Sequence, residues 1–433
     1  MLILHLSDIH FSNRDINKPY DQNLGLRDDT VHDIKSMRAK IGQDVDAILI
    51  SGDIAYHGHQ SEYDFAAKWL EEEVCPAAGC RFENIVVVPG NHDVDRRAAS
   101  EPMHEDARKK LRETDIGASN AAIKRYVDSK ASSEMLFKPI ENYNRFAAKF
   151  LCEIGYYEEE TGQNPYAKRD FVLNDKSLLR IWGFNSVLVC DADDDVNKMF
   201  VDPSAAEIIK RDDGVTHLVM CHHPFNWLRN KAEFQNRIDA VAKLHLFGHE
   251  HALRVDEYKK FTRLKAGALH PDRDERGWQP GYNFIDLSVE GPSNKRVLKI
   301  KLWVRHLLGA RYIAAPDDEG KDPWILEHDL RPWSPPLEPT ALAADKSAGA
   351  PTGDGKEAAL TEPAPTVRSV AVKILSLREF DQRKIITDLD LHQDGDQRLA
   401  DYAFAIAAVR RAEARGVLPE LNQEIEKYIG AKR

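Results

Sequence analysis

The chain has 433 residues, 42% hydrophobic and 30% charged, with a formal net charge of −11. This length accommodates one large domain and a smaller one, and the acidic balance excludes a uniformly basic nucleic-acid coat while leaving room for a local basic groove. The five cysteines (Cys75, Cys80, Cys152, Cys190 and Cys221) are odd in number and irregular in spacing, which implies neither a disulfide framework nor a zinc ribbon; reduced thiols in a cytoplasmic protein are expected.

In chain order, the apolar run Leu2–Leu6 predicts a first strand. No basic n-region or long apolar segment stands before it, so no signal peptide is expected, and no stretch is long enough to span a bilayer, so no membrane association is expected. Near-3.6 spacing predicts a helix over 30–41, a strand over Ala47–Ile50, a helix over 61–74 opening on Ser61 and Glu62, and a strand over 85–88. Residues 98–150 are rich in Ala, Lys, Arg and Glu, with helical patterning at 135–150, and read as a helical insertion or lid over the strand ends. Strands at 171–173 and Leu178–Phe184 flank a turn, two more end at 220 and 247, and 263–266, 282–289 and 297–304 read as a closing antiparallel sheet. These parts make a first domain over 1–333. Residues 334–366 have the Pro, Ala, Gly and Thr composition of a flexible linker. A small all-helical module over 367–433 follows, with helices at 377–389, 398–415 and 419–428.

Chemistry-bearing motifs recur where the apolar runs end: Asp8-Ile9-His10, Gly52-Asp53, Gly90-Asn91-His92-Asp93, His222-His223-Pro224 and Gly248-His249-Glu250-His251. In α/β sheets ligands bind at the carboxyl ends of strands. Carboxylates, an amide and imidazoles delivered to one place are a metal-ligand set, and this many suggests two ions. If the segment is extended, i and i+2 side chains point the same way, so Asp8 and His10 face one ion. Asp53 has two oxygens and can bridge two cations. Asn91 offers an amide oxygen. His92 fits proton transfer or charge stabilisation beside the ions, with Asp93 holding its ring. His222 reads as the ligand of its pair and His223 as supporting, Pro224 holding His223 extended. His249 and His251 each face a different ion, with Glu250 turned away.

This ordered set resembles the calcineurin-like metallophosphoesterase superfamily over residues 1–305. The resemblance implies a four-layer α/β sandwich, two mixed sheets flanked by helices. It implies one metal held by Asp8, His10, Asp53 and His251, a second held by Asp53, Asn91, His222 and His249, and His92 as the acid or phosphate-contacting residue. Asn185 resembles a cleft-wall position. The implied cofactors are two divalent transition-metal ions (Mn, Fe, Zn, Ni or Co, with manganese favoured). The implied activity is phosphodiester hydrolysis by in-line attack of a metal-bridging hydroxide, with a nuclease acting on DNA or RNA as the alternative.

Around this set, Arg14 follows His10 closely enough to meet a phosphate oxygen, and His57 and His59 are either substrate contacts or solvated loop histidines. Arg96-Arg97 with Arg108-Lys109-Lys110 reads as an exposed helix face and otherwise as a phosphate-tracking edge; His217 and His245 read as packed, and His270 as a candidate for the cleft wall. The tail resembles the death-like effector-associated adaptor modules of bacterial multi-component systems at Glu379-Phe380-Asp381, Val409-Arg410-Arg411-Ala412 and the run 415–421. That implies recruitment to a protein partner and, as a further alternative, an effector role in signalling or defence.

Overall fold

Each apolar run ahead of a motif becomes a buried strand in the computed structural model, which describes residues 1–157, 163–191, 194–271, 279–336 and 364–430. The strands are β1 (Leu2–Leu6), β2 (Ala47–Ile50), β3 (Ile85–Val87), β4 (Tyr166–Val172), β5 (Leu178–Phe184), β6 (Val215–Cys221), β7 (Ala242–Phe247), β8 (Arg254–Tyr258), β9 (Phe261–Lys265), β10 (Gly281–Glu290), β11 (Val297–Leu308), β12 (Arg311–Ala314) and β13 (Trp324–Asp329). They form two mixed sheets. One runs β12-β11-β10-β1-β2-β3, with β13 also paired to β11; the other runs β4-β5-β6-β7-β9-β8. Within them β1, β2 and β3 are parallel, as are β5, β6, β7 and β9. Strands buried on both faces read as continuous apolar runs, which is why β1, β2 and β3 are wholly apolar or buried along their length.

The expected closing sheet divides. β10 and β11 pair antiparallel with each other and dock on β1, whereas 263–266 falls largely in β9, parallel to β7 in the second sheet. An apolar run announces a strand but not its neighbour. The first helix spans Leu24–Ile41, and the second begins at Gln60, with the Glu62 carboxylate accepting from His59 N (3.1 Å).

The parallel strands converge so that the loops after β1, β2 and β3 meet those after β6, β7 and β9. Asp8 N donates to Gly52 O (3.0 Å) and His10 N to Asp53 O (2.9 Å), extending the β1–β2 pairing past the strands. His270 N donates to Asp8 O (3.1 Å), and Gly248 N to His222 O (3.0 Å). The bond from His270 to Asp8 ties the two sheets at one edge.

Residues 98–150 are helical through Pro102–Glu113, Ile116–Val127, Lys130–Phe137 and Glu141–Ala147. They stand beside the strand ends: Arg112 pairs with Asp191 (2.8 Å) and Asp194 (2.9 Å), and Asn142 Nδ2 donates to Gly58 O (2.9 Å). The expected linker lies outside the described residues from 337 to 363. Beyond it, helices Val367–Leu375, Glu379–Asp388, Asp401–Ala414 and Leu418–Gly430 enclose their own apolar core around Ile374, Ile386, Val409 and Leu421. The module also rests on the first domain. Ala371, Tyr402 and Ile406 pack on Ala148, Arg368 donates to the Phe150 carbonyl, and Arg410 lies 3.8 Å from Glu153. No helix among the described residues is long and apolar enough to cross a membrane.

Candidate metal centre

Five of the proposed ligand residues have left-handed backbone: Asp8 (φ 52°), His10 (φ 54°), Asp53 (φ 54°), His249 (φ 72°) and His251 (φ 51°). Each such non-glycine residue costs about 1–3 kcal/mol, and such strain concentrates at functional sites. The extended backbone expected at Asp8 and His10 is therefore not what brings them together; tight turns at the strand exits do so.

The side chains converge. His10 Nε2 lies 3.2 Å from Asp53 Oδ2, and His222 Nε2 lies 3.3 Å from the same oxygen. His251 Nε2 lies 3.3 Å from Asp8 Oδ1. Asn91 Oδ1 sits between His222 Nε2 (3.0 Å) and His249 Nδ1 (2.9 Å). Asp8, His10 and His251 form one group of candidate donors, Asp8, Asp53 and His222 another; within each group the donor atoms lie within 4.8 Å of one another.

The protons decide what this cluster lacks. His222 Nδ1 donates to the Ser51 carbonyl (2.8 Å), and His10 Nδ1 to the His270 carbonyl (3.3 Å). A neutral imidazole that donates through Nδ1 has a bare lone pair on Nε2. Those lone pairs face Asp53 Oδ2, and that of His222 also faces Asn91 Oδ1. Acceptors aimed at acceptors in a buried site call for a cation between them. Without one, protons take its place: burial opposes charge on His222, yet the Asp53 and Asp8 carboxylates outweigh it and raise it to about 9. Burial likewise favours neutral Asp8, but the His251 hydrogen bond and the His222 and His251 charges bring it down to about 2. Mixed nitrogen and oxygen donors with ionised carboxylates fit divalent transition metals.

Three glycines leave the space this requires. A Cβ on Gly52 (φ 104°) would lie 2.4 Å from His222 Nδ1, one on Gly90 2.1 Å from Asp53 Oδ1, and one on Gly248 2.3 Å from Ser7 Oγ.

His92 stands beside the ligands, its ring 4.8 Å from that of His10, with Nδ1 donating to the Tyr56 carbonyl (3.0 Å). Burial lowers its pKa. Asp93 does not hold that ring as expected. Its carboxylate turns inward and accepts from Ile54 N (3.1 Å), Ala55 N (3.0 Å), Gly90 N (2.9 Å) and Tyr63 Oη (2.8 Å). It staples the β2 and β3 loops together; the short turn at Asn91–Asp93 directs successive side chains apart. His223 is buried, with Nδ1 2.9 Å from Ser186 Oγ. Glu250 joins Lys265, Asn226 (2.9 Å) and Trp227 (3.3 Å), bracing its loop. Asn185 is buried, and its Oδ1 accepts from Val187 N (2.8 Å).

A cleft of about 600 Å³ opens on this cluster, lined by His10, Arg14, Tyr56, His92, His251 and His270 among others. Among the described residues that line it, none comes from 98–150. His217 and His245 are buried inside β6 and β7. Sequence reasoning missed Ser7, whose Oγ donates to Asp8 Oδ2 (2.5 Å), Tyr56, and Trp227, whose ring lies 4.0 Å from that of His249. Adjacency of Ser7 to Asp8 was the one available signal.

The model of the calcineurin-like phosphoesterase family matches residues 1–253. The chain belongs to this family. Membership carries metal-dependent phosphoester hydrolysis with divalent ions, and the two mixed sheets flanked by helices are its sandwich. No curated protein matches the chain. Similar solved structures include a Vps29 single mutant from Entamoeba histolytica (11% identity, 76% of this chain and 100% of that one, TM-score 0.31). A predicted phosphoesterase from Streptococcus pneumoniae TIGR4 has 13% identity, with 76% and 97% covered and a TM-score of 0.27. GAP50, the anchor in the inner membrane complex of Plasmodium, has 10% identity, with 76% and 89% covered and a TM-score of 0.37. Scores of this size bear on neither substrate nor mechanism.

Proposed function

We propose that the chain is a dinuclear phosphodiesterase. The observation that carries this reading is Asp53, whose one oxygen faces His10 on one side and His222 on the other. Asp8, His10, Asp53 and His251 would hold one ion; Asp53, Asn91, His222 and His249 would hold the second, manganese being the favoured metal. When bound, two divalent cations supply Lewis acidity and a water-derived nucleophile near neutral pH.

The chain's own residues do the rest. Asp53 fixes the spacing of the two ligand groups. Ser51 O and His270 O orient the His222 and His10 rings so that each presents Nε2. Tyr56 O orients His92 in the same way; carrying a second proton on Nε2, as the imidazolium, that ring would stabilise or protonate the leaving oxygen. Arg14 stands on the cleft wall to meet a non-bridging oxygen. A diester carries substituents on both sides of phosphorus, and the open cleft has room for both.

The helical module over 367–433 is read as the partner-facing part of an effector, with Phe380 75% exposed between Glu379 and Asp381. All five cysteines are unpaired and buried, which supports a cytoplasmic setting. The test is hydrolysis of a panel by manganese-loaded full chain beside Asp53→Ala: an aryl phosphodiester, an aryl monoester, cyclic mononucleotides, and DNA and RNA. Asp53-dependent cleavage of diesters is expected; a monoester-only enzyme would refute the reading.

A further inference from the structure

A second pocket, of about 340 Å³, adjoins the cleft and shares Arg14 with it. Its other lining residues include His57, His59, Asp95, Arg96 and Arg97. Residues far apart in sequence, from the loops after β1, β2 and β3, thus place three guanidinium groups around one hollow. These three guanidinium groups outnumber the one carboxylate of the lining. None of Arg14, Arg96 and Arg97 has an ion pair among the described residues. Asp95, the one carboxylate of the lining, has Oδ1 engaged by Arg97 N (2.9 Å). The neighbouring Glu62 carboxylate is buried and already accepts from Asn13 N (3.1 Å), His57 N (3.0 Å) and His59 N (3.1 Å).

The walls are also fixed in place. The His57 and His59 rings stack at 5.5 Å with an 18° interplanar angle. Gly58 between them (φ 66°) sits so tightly on the chain at Asp93 and Asp95 that a Cβ would fall 2.8 Å from either backbone. By contrast, two of the three other members of the basic cluster read from the sequence are already used: Arg108 pairs with Asp191 (3.0 Å) and Lys109 with Glu105 (2.6 Å).

We propose that this pocket is a second phosphate subsite, so that the preferred substrate is a phosphodiester bearing a further phosphate, as in a short single-stranded oligonucleotide. Guanidinium groups bind phosphate oxygens in charge-assisted, often bidentate pairs. A flat ring pair beside them suits the base between two phosphates. The inference rests on the metal cluster handling the scissile diester, and its test separates the two.

The manganese-loaded full chain is given thymidine 5′-(p-nitrophenyl phosphate), the same ester carrying a 3′-phosphate, and pentathymidylate. Arg96→Ala/Arg97→Ala, both exposed, is compared with the parent. The expected result is a preference of at least about tenfold in kcat/KM for the substrates with added phosphate, which the double variant abolishes while leaving the one-phosphate ester unchanged. A gain from the 3′-phosphate places a terminal phosphate in the pocket; a gain from pentathymidylate alone places the next internucleotide phosphate there. Separately, fluorescence anisotropy of labelled pentathymidylate with EDTA should show a shallower salt dependence in the variant, by about one per lost phosphate contact. Equal binding and equal preference in variant and parent overturn the subsite. A parent that hydrolyses nothing, yet binds pentathymidylate through Arg96 and Arg97, sustains the subsite and refutes the hydrolase reading.

Discussion

Gly90→Ala puts the metal centre to a test that backbone strain does not confuse. Gly90 is extended (φ −109°, ψ 178°), a conformation alanine adopts freely. The added Cβ would lie 2.1 Å from Asp53 Oδ1, 2.7 Å from its Cγ and 2.5 Å from its backbone nitrogen. Ordinary contact begins near 3.4 Å, so the carboxylate must retreat by about 1.3 Å. The backbone of Asp53 cannot share the movement easily, because its carbonyl holds Ile9 N (2.8 Å) and His10 N (2.9 Å). The carboxylate swings, losing His92 N (2.8 Å) and leaving its place between His10 and His222, and the 2.5 Å approach to the Asp53 nitrogen pushes the Gly90 loop away as well. A displacement near 1 Å at a reacting centre costs on the order of 100-fold in rate, and the overpacking itself costs about 1–3 kcal/mol.

The assay is metal content by mass spectrometry, kcat/KM on an aryl phosphodiester and Tm, all on the full chain. Gly117→Ala, where a Cβ meets nothing within 4 Å, is the control. The expected pattern is a roughly 100-fold loss of kcat/KM with substoichiometric metal and a folded protein. Gly90→Ala with the parent's metal content and rate would refute the reasoning.

The remaining predictions follow from neighbouring contacts. His92→Asn should lower kcat by about 10²–10⁴ while metal content stays at the parent's level, since the ring stands beside the ligands; loss of metal would make it a ligand instead. Asp93→Asn replaces one carboxylate oxygen by an NH₂, which must face either the N–H donors of Ile54 and Ala55 or that of Gly90. It should cost about 1–3 kcal/mol in denaturant unfolding, and an unchanged midpoint would show that the staple carries nothing. Burial raises Glu153 to about 7, against the opposing charges of Arg410 and Arg368 on the docked module, with Tyr402, Tyr143 and Cys152 nearby. The folded protein therefore holds a proton the unfolded chain has released, so this group's stability is full below about 4.5 and is lost as pH rises through about 7. Glu153→Gln should flatten that slope, worth about 3 kcal/mol across the window; parallel stability curves from pH 5 to 8 would contradict it.

The candidate ligands were legible because each stands where an apolar run stops, and the run, the stop and the residue type all lie in local sequence. The conformation that joins them was not. Alternation of side chains suggested extended backbone at Asp8 and His10, whereas both are left-handed, imposed by bonds to residues 52 and 53 that no local window contains. The direction of Asp93 was hidden for the same reason: its partners Ile54, Ala55 and Tyr63 belong to a different loop and helix. Strand 263–266 was visible as a strand, but its pairing with β7 rather than β10 depends on the connection between sheets. Arg96 and Arg108 look alike in sequence, and only the position of Asp191 separates the paired one from the unpaired one.

Strain and unsatisfied lone pairs at this site have one common origin. The parallel strands fix where their loops begin, and the bonds Asp8 N to Gly52 O, His270 N to Asp8 O and Gly248 N to His222 O fix how those loops cross. Within this frame Asp8, His10, Asp53, His249 and His251 all have positive φ, and their side chains converge. A sequence relieved of that strain would relax the turns and separate the donors. A cation bound only by the folded state adds to stability in proportion to the logarithm of its concentration over Kd. A cation that satisfied the facing lone pairs would therefore also offset the strained turns that aim them. A metal centre here would in this sense be a part of the fold at the sheet edge, and the expected loss in Gly90→Ala would be a loss of both at once.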